Sequence, residues 1–217
     1  MVIIRKKDYG NENQRGHSDG KTLVSFVLDE SGSMESMKAE TISGFNEYIQ
    51  TLKKKASNIN ITFAKFNSDQ GVEVIYSNKS ILDVAELNDD EYHPNGMTPL
   101  YDAIGQVIRD IEKNNAERIL FVIQTDGLEN ASEEYDLLAI RALIKEKEKE
   151  GTWTFVYLGA NQDAWGVGKG LGLHQGNVMD YNGIDTGDTF GHLAHVTCNY
   201  CSMDSSKTTN FWGGEKK

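Results

Sequence analysis

The feature that most constrains the fold is an alternation between short apolar runs and helical apolar stripes. From Lys21 onward, strand-like runs such as residues 23–28 and 119–125 are each followed by a segment with helical apolar spacing; the first of these stripes covers residues 34–52. This pattern is typical of βαβ units, in which parallel strands form one sheet and helices cover both of its faces. We therefore predict an α/β fold with a doubly wound, mostly parallel central sheet.

One pair of strands breaks the alternation. Residues 61–66 and 72–76 are both strand-like, and only the turn-forming residues 67–71 separate them. Because so short a connection joins antiparallel strands, we expect an antiparallel hairpin at the edge of the sheet. The remaining elements are predicted as helices over residues 99–111, 137–144 and 164–171, strands over 153–158 and 177–181, and a last helix from about residue 186.

The chain of 217 residues suits one domain with a segment at each end. Residues 1–20 are predicted to be a flexible leader, because they contain too few apolar side chains to order themselves. The domain itself is predicted over residues 21–201. Residues 202–217 are predicted to be a polar tail, in which Phe211 and Trp212 belong either to a docking element or, in the preferred interpretation, to a loosely packed end.

Composition excludes several classes of partner. The net charge of −11 argues against a nucleic-acid surface, because basic side chains are needed to neutralise phosphates. There is no stretch of about 18 apolar residues, and the apolar part of residues 1–7 is too short for a secretory signal. Two cysteines do not make a disulfide framework. We expect a cytoplasmic protein without a nucleic-acid or membrane partner.

Oxygen-bearing side chains follow the two most apolar runs. Asp29, Ser31 and Ser33 alternate after the first run, and Asp126 ends the second. In an open α/β sheet the carboxyl ends of the strands form the ligand-binding crevice, so we expect these loops to meet there. Thr98 offers a further hydroxyl from a third loop. Hard oxygen ligands suit Mg²⁺, so the sequence predicts a Mg²⁺ site, with Mn²⁺ or Ca²⁺ as alternative ions.

Helix capping is the alternative interpretation for the individual residues. Thr98 precedes Pro99 and is a suitable N-cap for the helix predicted there. Ser33 is a suitable N-cap for the helix predicted to start near Met34. Asp126 or Asn130 suits the helix that follows. Caps do not explain why three oxygen-bearing side chains alternate after one buried strand while a second buried strand ends in another aspartate. The metal site is therefore the preferred interpretation.

These five residues, Asp29, Ser31, Ser33, Thr98 and Asp126, together resemble the metal-ion-dependent adhesion site of the von Willebrand factor A (vWA) domain. Residues 126–130 and 157–164 also resemble the single-domain A-type proteins of bacteria and their phages. The resemblance implies a Rossmann-like fold and a bacterial or phage-infected host cell. It also implies that the two serines bind the metal through their hydroxyls, the two aspartates mostly through waters, and the threonine directly when a ligand is engaged.

The resemblance further implies a non-catalytic function. A cation held mainly by neutral hydroxyls stays electrophilic, so a protein partner can supply the carboxylate of an Asp or Glu side chain to it. The predicted rim of this partner-binding site consists of Glu30, His93, Met97, Glu129 and Asn161, with Leu128 beside Glu129.

A Mg²⁺-dependent phosphoryl-transfer or hydrolytic enzyme is an alternative function. Asp29 or Glu30 would then act on a bound phosphate or water. Aspartate-based phosphatases have a second carboxylate two residues after the strand aspartate, and Ser31 occupies that position here. The sequence offers no convincing general base beyond Glu30 and His93. The binding function is therefore preferred.

A zinc-stapled scaffold is the third possibility. His192, His195, Cys198 and Cys201 include the ligand types of a structural zinc site and form a possible second metal site. On a continuous helix, however, steps of three residues turn each side chain about 60° from the one before. A redox pair of the two cysteines is also open, and ordinary packing is the preferred interpretation.

Overall fold

The computed structural model describes residues 5–6, 22–56, 58–161, 163–181 and 186–213, the first two and residue 186 by their backbone alone. The strands are β1 (Arg5–Lys6), β2 (Thr22–Asp29), β3 (Ile59–Asn67), β4 (Gly71–Ser80), β5 (Arg118–Thr125), β6 (Trp153–Ala160) and β7 (Val178–Tyr181). The α-helices are α1 (Lys38–Lys55), α2 (Leu100–Ile111), α3 (Leu137–Lys149), α4 (Ala164–Leu171) and α5 (Thr186–Cys201).

The described strands form one sheet in the order β1-β4-β3-β2-β5-β6-β7. β4 is antiparallel to β3, and the other neighbouring strands are parallel. This confirms the predicted doubly wound, mostly parallel sheet, in which β3 and β4 form the antiparallel pair. Because β1 pairs with Glu73 and Val74 of β4, the outermost described strand on that side is β1 and not the hairpin.

Helices cover both faces of the sheet. Successive side chains of a strand point to opposite faces, so β2 directs Phe26 into one core and Val27 into the other. On the first face, Phe45 of α1 and Phe190 of α5 have ring centroids 5.3 and 6.2 Å from that of Phe26. Residues of α2, α3 and α4, such as Ile104, build the second core with the opposite face.

The central pair of strands positions the crevice. β2 lies between β3 and β5, and Leu28 pairs in register with Gln124. The chain continues from β2 to one side of the sheet and reaches β5 on the other side, so the strand order reverses direction here. The residues that follow β2 and β5 therefore lie side by side at the carboxyl edge, where such folds bind ligands.

The first helix begins later than its apolar stripe predicted. Residues Gly32–Met37 form a 3₁₀ helix, and α1 begins only at Lys38. Met34 is nevertheless completely buried, and its N–H donates to the carbonyl of Ser31 at 3.1 Å. The 3₁₀ segment therefore satisfies the apolar pattern while it keeps Ser31 and Ser33 in the loop that follows β2.

The expected loosely packed end is wrong for the described part of the tail. Phe211 and Trp212 are both buried and belong to the first core. The Phe211 N–H donates to Asn177 Oδ1 at 2.9 Å, and the Trp212 N–H donates to the carbonyl of Gly176 at 3.0 Å. Two aromatic side chains in an otherwise polar segment are thus a packing element that folds back beside β7.

Most of the predicted leader, residues 1–20, lies outside the described residues, and its two described residues form β1. The domain boundaries remain predictions. Among the described helices, none has the length and apolar composition needed to span a bilayer.

Candidate metal centre

Asp29 is the last residue of β2, and it is held by the two neighbouring strands and loops. Its side chain is completely buried. The Ser31 N–H donates to Asp29 Oδ1 at 2.7 Å, and the Thr125 hydroxyl donates to Oδ2 at 2.5 Å. The buried Tyr92 hydroxyl donates to the Asp29 carbonyl at 2.6 Å. These contacts fix both the backbone and the carboxylate at the end of the strand.

A chain of oxygen atoms joins the loop after β2 to the loop after β5. The Ser31 and Ser33 hydroxyl oxygens are 3.2 Å apart. The Ser33 hydroxyl donates to Asp126 Oδ1 at 2.6 Å. The Ser33 hydroxyl is therefore within hydrogen-bonding distance of both Ser31 and Asp126, although 93 positions separate Ser33 from Asp126.

Gly127 marks the point where the third loop joins them. A Cβ atom on Gly127 would lie 2.9 Å from Thr98 Oγ1, 3.5 Å from Ser33 Oγ and 3.6 Å from Asp29 Oδ2. One small volume is thus bordered by side chains from three loops. The structure brings together all five residues that the sequence pattern selected, and a side chain at position 127 would fill the space between them.

Capping does not account for these residues. The N-cap of α2 is Pro99, and the N-cap of α1 is Met37, with no side-chain capping bond at either. α3 is capped by Asp136, whose Oδ1 accepts the Ala139 N–H at 2.8 Å. The capping alternative for Thr98, Ser33, Asp126 and Asn130 is therefore wrong.

Asn130 has a different task, which is to hold Thr98. Its Oδ1 accepts the Thr98 N–H at 2.8 Å, and its own N–H donates to the Thr98 carbonyl at 3.1 Å. On the other side of the same loop, the Gly32 N–H donates to the Gly96 carbonyl at 3.0 Å. The loop that carries Thr98 is therefore bonded to both neighbouring loops.

Both carboxylates are in surroundings that oppose their negative charge. Burial raises the pKa of Asp29 to about 6, although the hydrogen bonds from Thr125 and Ser31 act in the opposite direction. Burial also raises the pKa of Asp126, against the bond from Ser33. A cation between the two carboxylates would favour their charged forms.

Two predicted rim residues are corrected. Glu30 is 2% exposed and forms a 2.8 Å ion pair with the buried Lys65, and its Oε1 also accepts the His93 N–H. The Glu129 carboxylate accepts the N–H groups of Ala131 and Ser132 within its own loop. Both carboxylates are therefore occupied by the protein's own donors. The sequence does not reveal this, because the partner of Glu30 lies on another strand.

The other predicted rim residues are exposed. His93 and Asn161 face solvent, and Met97 is 54% exposed. Leu128, two residues after Asp126, is 61% exposed. Since Met97 precedes Thr98 and Leu128 follows Gly127, two exposed apolar side chains flank the point where these loops meet.

Sequence reasoning missed Asp102, which shapes the loop after β5. Its carboxylate accepts the N–H groups of Glu133, Glu134 and Tyr135 at 2.8–2.9 Å. Asp102 is only 5% exposed and interrupts the apolar face of α2. A carboxylate inside an apolar stripe was the available signal, because a buried charge requires hydrogen-bond donors.

The structure does not bring His192, His195, Cys198 and Cys201 together, which corrects the possible second metal site. α5 is continuous as far as Cys201. On a continuous helix, residues three positions apart point in different directions, so the four side chains diverge. His192 contacts the Trp212 ring, whereas the two cysteines pack against the first core. In the described part of the chain, no group of three or more His, Cys, Asp or Glu side chains is arranged to hold a metal.

The same surroundings bear on the redox alternative. Burial raises the pKa of the Cys201 thiol to about 11 and also raises that of Cys198. A redox-active pair needs a readily formed thiolate. These thiols are therefore in surroundings that suit packing. The central site differs from a His/Cys cluster, because it combines only two carboxylates with three hydroxyls.

The family model of the von Willebrand factor type A domain matches residues 24–166, well over half of the chain. This chain belongs to the von Willebrand factor type A domain family. The matched segment contains all five residues of the candidate metal centre. Among curated proteins, none matches the sequence.

Several solved structures are similar to this fold at low sequence identity. Proximal thread matrix protein 1 from the mussel byssus aligns with a TM-score of 0.59 and 14% identity, over 83% of this chain and 49% of that chain. The pilus adhesin SpaC from Lactobacillus rhamnosus GG, in its open conformation, aligns with a TM-score of 0.63 and 12% identity, over 82% of this chain and 30% of that chain. This chain thus spans about half or less of those two proteins.

The von Willebrand factor domain of the type V pili tip protein Mfa5 from Porphyromonas gingivalis is similar over almost its whole length. It gives a TM-score of 0.63 and 10% identity, over 85% of this chain and 97% of that domain. At such identities the likeness concerns the fold alone.

Proposed function

We propose that this chain is a non-catalytic binding module. It uses a divalent cation, preferably Mg²⁺, to bind an Asp or Glu side chain of a protein partner. The observation that carries the proposal is the convergence of Thr98, Ser33 and Asp29 around Gly127. Three loops contribute hydroxyl and carboxylate oxygens to one point, and these are ligand types that Mg²⁺ prefers.

The donor set fits such a cation. Asp29, Asp126, Ser31, Ser33 and Thr98 would hold it, and the positive charge would attract a carboxylate from outside. The raised pKa values of Asp29 and Asp126 support this assignment, since the two carboxylates lack a charge that would stabilise their ionised forms. Gly127 supports it as well, because any larger residue would occupy the space between the donors.

The exposed apolar residues suit a contact with a protein. Met97 and Leu128 flank the site and would exclude water around a bound acidic side chain. The structural neighbours include a pilus adhesin and a pili tip protein. Those descriptions belong to those proteins, and they support binding, rather than catalysis, as the function of the shared fold.

The enzymatic alternative is less well supported. Of the two candidate bases, Glu30 is engaged by Lys65 in a buried ion pair, and His93 Nε2 lies 2.8 Å from the Asp90 carbonyl. Glu30 is therefore held by Lys65, and the His93 ring bonds within its own loop rather than to Asp29. The non-catalytic proposal requires no such base.

Electron paramagnetic resonance of bound Mn²⁺ tests the proposal. We expect one Mn²⁺ per chain, and we expect acetate to change the spectrum of the bound ion because a carboxylate enters its coordination sphere. Ser33→Ala should weaken Mn²⁺ binding at least about tenfold. Ser36→Ala is the matched control, because Ser36 is an exposed residue of the same 3₁₀ segment whose hydroxyl, among the described residues, bonds to the Ser33 carbonyl. Equal Mn²⁺ binding by both variants would refute the metal centre.

A further inference from the structure

The loops around the candidate metal centre are acidic and lack basic residues. Four segments adjoin strands at this edge of the sheet, and a fifth, which precedes α2, is bonded to the loop after β2. None of the five contains a lysine or an arginine: residues 29–37, 67–71, 88–98, 126–136 and 161–163. The lysines and arginines of the described residues lie outside these five segments.

Some acidic residues of these loops are used internally. Glu30 is paired with Lys65, and Asp89 forms a 2.9 Å ion pair with Lys38. Asp163 caps α4 by accepting the Gly166 N–H. These carboxylates have donors of their own and contribute less to the field outside the protein.

Other carboxylates of these loops face solvent without a basic partner. Within the described residues, no lysine or arginine forms an ion pair with the exposed side chains of Glu35, Asp69, Asp90 and Glu133. Like charges that are not neutralised add to one negative potential over the surface.

Three of them belong to loops that contribute to the metal centre or are bonded to such a loop. Glu35 is two residues from Ser33, in the same 3₁₀ segment. Asp69 accepts the side-chain amide of Asn95 at 2.8 Å, and the next residue, Gly96, is bonded to Gly32. Asp90 contacts the His93 ring through its carbonyl. Exposed acidic residues are therefore present in the loop of Ser33, in the loop that carries Thr98 and in the loop bonded to Asn95.

An acidic partner surface would be repelled here. A single carboxylate gains from the cation, but further carboxylates around it would face the acidic loops, and like charges across an interface are unfavourable. Lysine or arginine side chains beside the carboxylate would instead meet Glu35, Asp69 and Asp90. Such complementarity governs which partners associate and how fast.

We propose that the partner presents its metal-binding carboxylate from a basic protein surface, with lysine or arginine residues next to the Asp or Glu. This inference rests on the proposed function and adds the partner's chemistry to it. The net charge of the chain, −11, acts in the same direction.

Three synthetic peptides test the inference with the whole chain in Mg²⁺. The first is acetylated and amidated Gly-Lys-Leu-Asp-Lys-Gly, the second has glutamate in place of both lysines, and the third has asparagine in place of aspartate. NMR titration at low ionic strength should show that the first peptide binds at least about tenfold more tightly than the second. The difference should shrink near physiological ionic strength, because salt screens exposed charges.

Two double variants locate the effect. Glu35→Gln with Asp90→Asn should weaken binding of the first peptide about two- to fivefold at low ionic strength. The control combines Asp83→Asn with Glu146→Gln, which changes the net charge equally at exposed positions outside the acidic loops. Asp83 follows β4 at the opposite edge of the sheet. The control should bind the peptide as the wild type does.

The outcomes separate the inference from the proposed function. Equal binding of the lysine and glutamate peptides, or equal effects of the two double variants, would overturn the inference and leave carboxylate capture intact. If the asparagine peptide binds as tightly as the aspartate peptide, or if EDTA has no effect, carboxylate capture itself fails. If the lysine peptide still binds more tightly than the glutamate peptide in that case, the preference comes from the acidic loops and not from a bound metal.

Discussion

At the scale of single residues, Asp29 is placed where its charge is costly. It is fully buried, and its hydrogen bonds from Ser31 and Thr125 only partly offset the desolvation that raises its pKa. A carboxylate that served stability alone would be expected to have a basic partner or more donors. Asp102 illustrates the contrast, since three backbone N–H groups satisfy it. The buried Asp29 carboxylate therefore supports the proposal that a cation binds here.

This difference predicts the effect of Asp29→Asn. A folded-state pKa raised from 3.8 to about 6 means that protonated Asp29 stabilises the folded chain. In EDTA, that stabilisation is fully present below pH 3.8 and is lost as the pH rises through about 6. Asparagine does not titrate, and Thr125 can bond to the Gly127 carbonyl instead. Metal-free Asp29→Asn should therefore be more stable than the wild type at pH 8, by about 1–3 kcal/mol.

Urea unfolding at pH 5 and pH 8, with Mg²⁺ and with EDTA, measures this effect. Mg²⁺ should stabilise the wild type at pH 8 and leave Asp29→Asn unchanged, because ligands that bind the folded state stabilise it by mass action. Asp83→Asn, an exposed change of the same kind, should behave as the wild type. A variant that is less stable than the wild type at pH 8 in EDTA would contradict the interpretation of Asp29.

At the scale of elements, rigid strands carry Asp29 and Asp126, and side-chain bonds hold the loops that complete the site. The loop after β5 depends on Glu129 and on Asp102, which reaches it from the first turn of α2. Asn130 then joins this loop to the one that carries Thr98. The site therefore needs a defined loop conformation, which packing of the helices alone does not provide.

Asp102→Asn tests this dependence. In the variant, the asparagine Oδ1 still accepts two of the three N–H groups. The asparagine NH₂ group is a donor and cannot accept the third N–H. We expect a loss of about 1–3 kcal/mol in stability and faster amide hydrogen exchange at Glu133, Glu134 and Tyr135. Asp136→Asn is the matched control, because asparagine caps helices as well as aspartate does. Unchanged exchange at these three amides would show that Asp102 does not hold the loop.

At the scale of the whole molecule, the sheet and the convergence of the site were predictable from the sequence, whereas the local partners were not. Asp29 and Asp126 each end a strongly apolar run, and such runs become adjacent central strands. Glu30 does not belong to the rim because it pairs with Lys65, which lies on another strand 35 residues further along the chain. Likewise, the burial of Phe211 and Trp212 depends on Asn177 and Gly176, which no local pattern reveals.

The central claim is that one cation binds where the three loops meet. Anomalous diffraction from crystals grown with Mn²⁺ tests it most directly, because the ion is located independently of any variant. We expect one strong peak at coordination distance from the hydroxyl oxygens of Ser31 and Ser33, about 2.1 Å if the ion coordinates as Mg²⁺ does. No peak there at saturating Mn²⁺, or a peak only elsewhere on the protein, would contradict it.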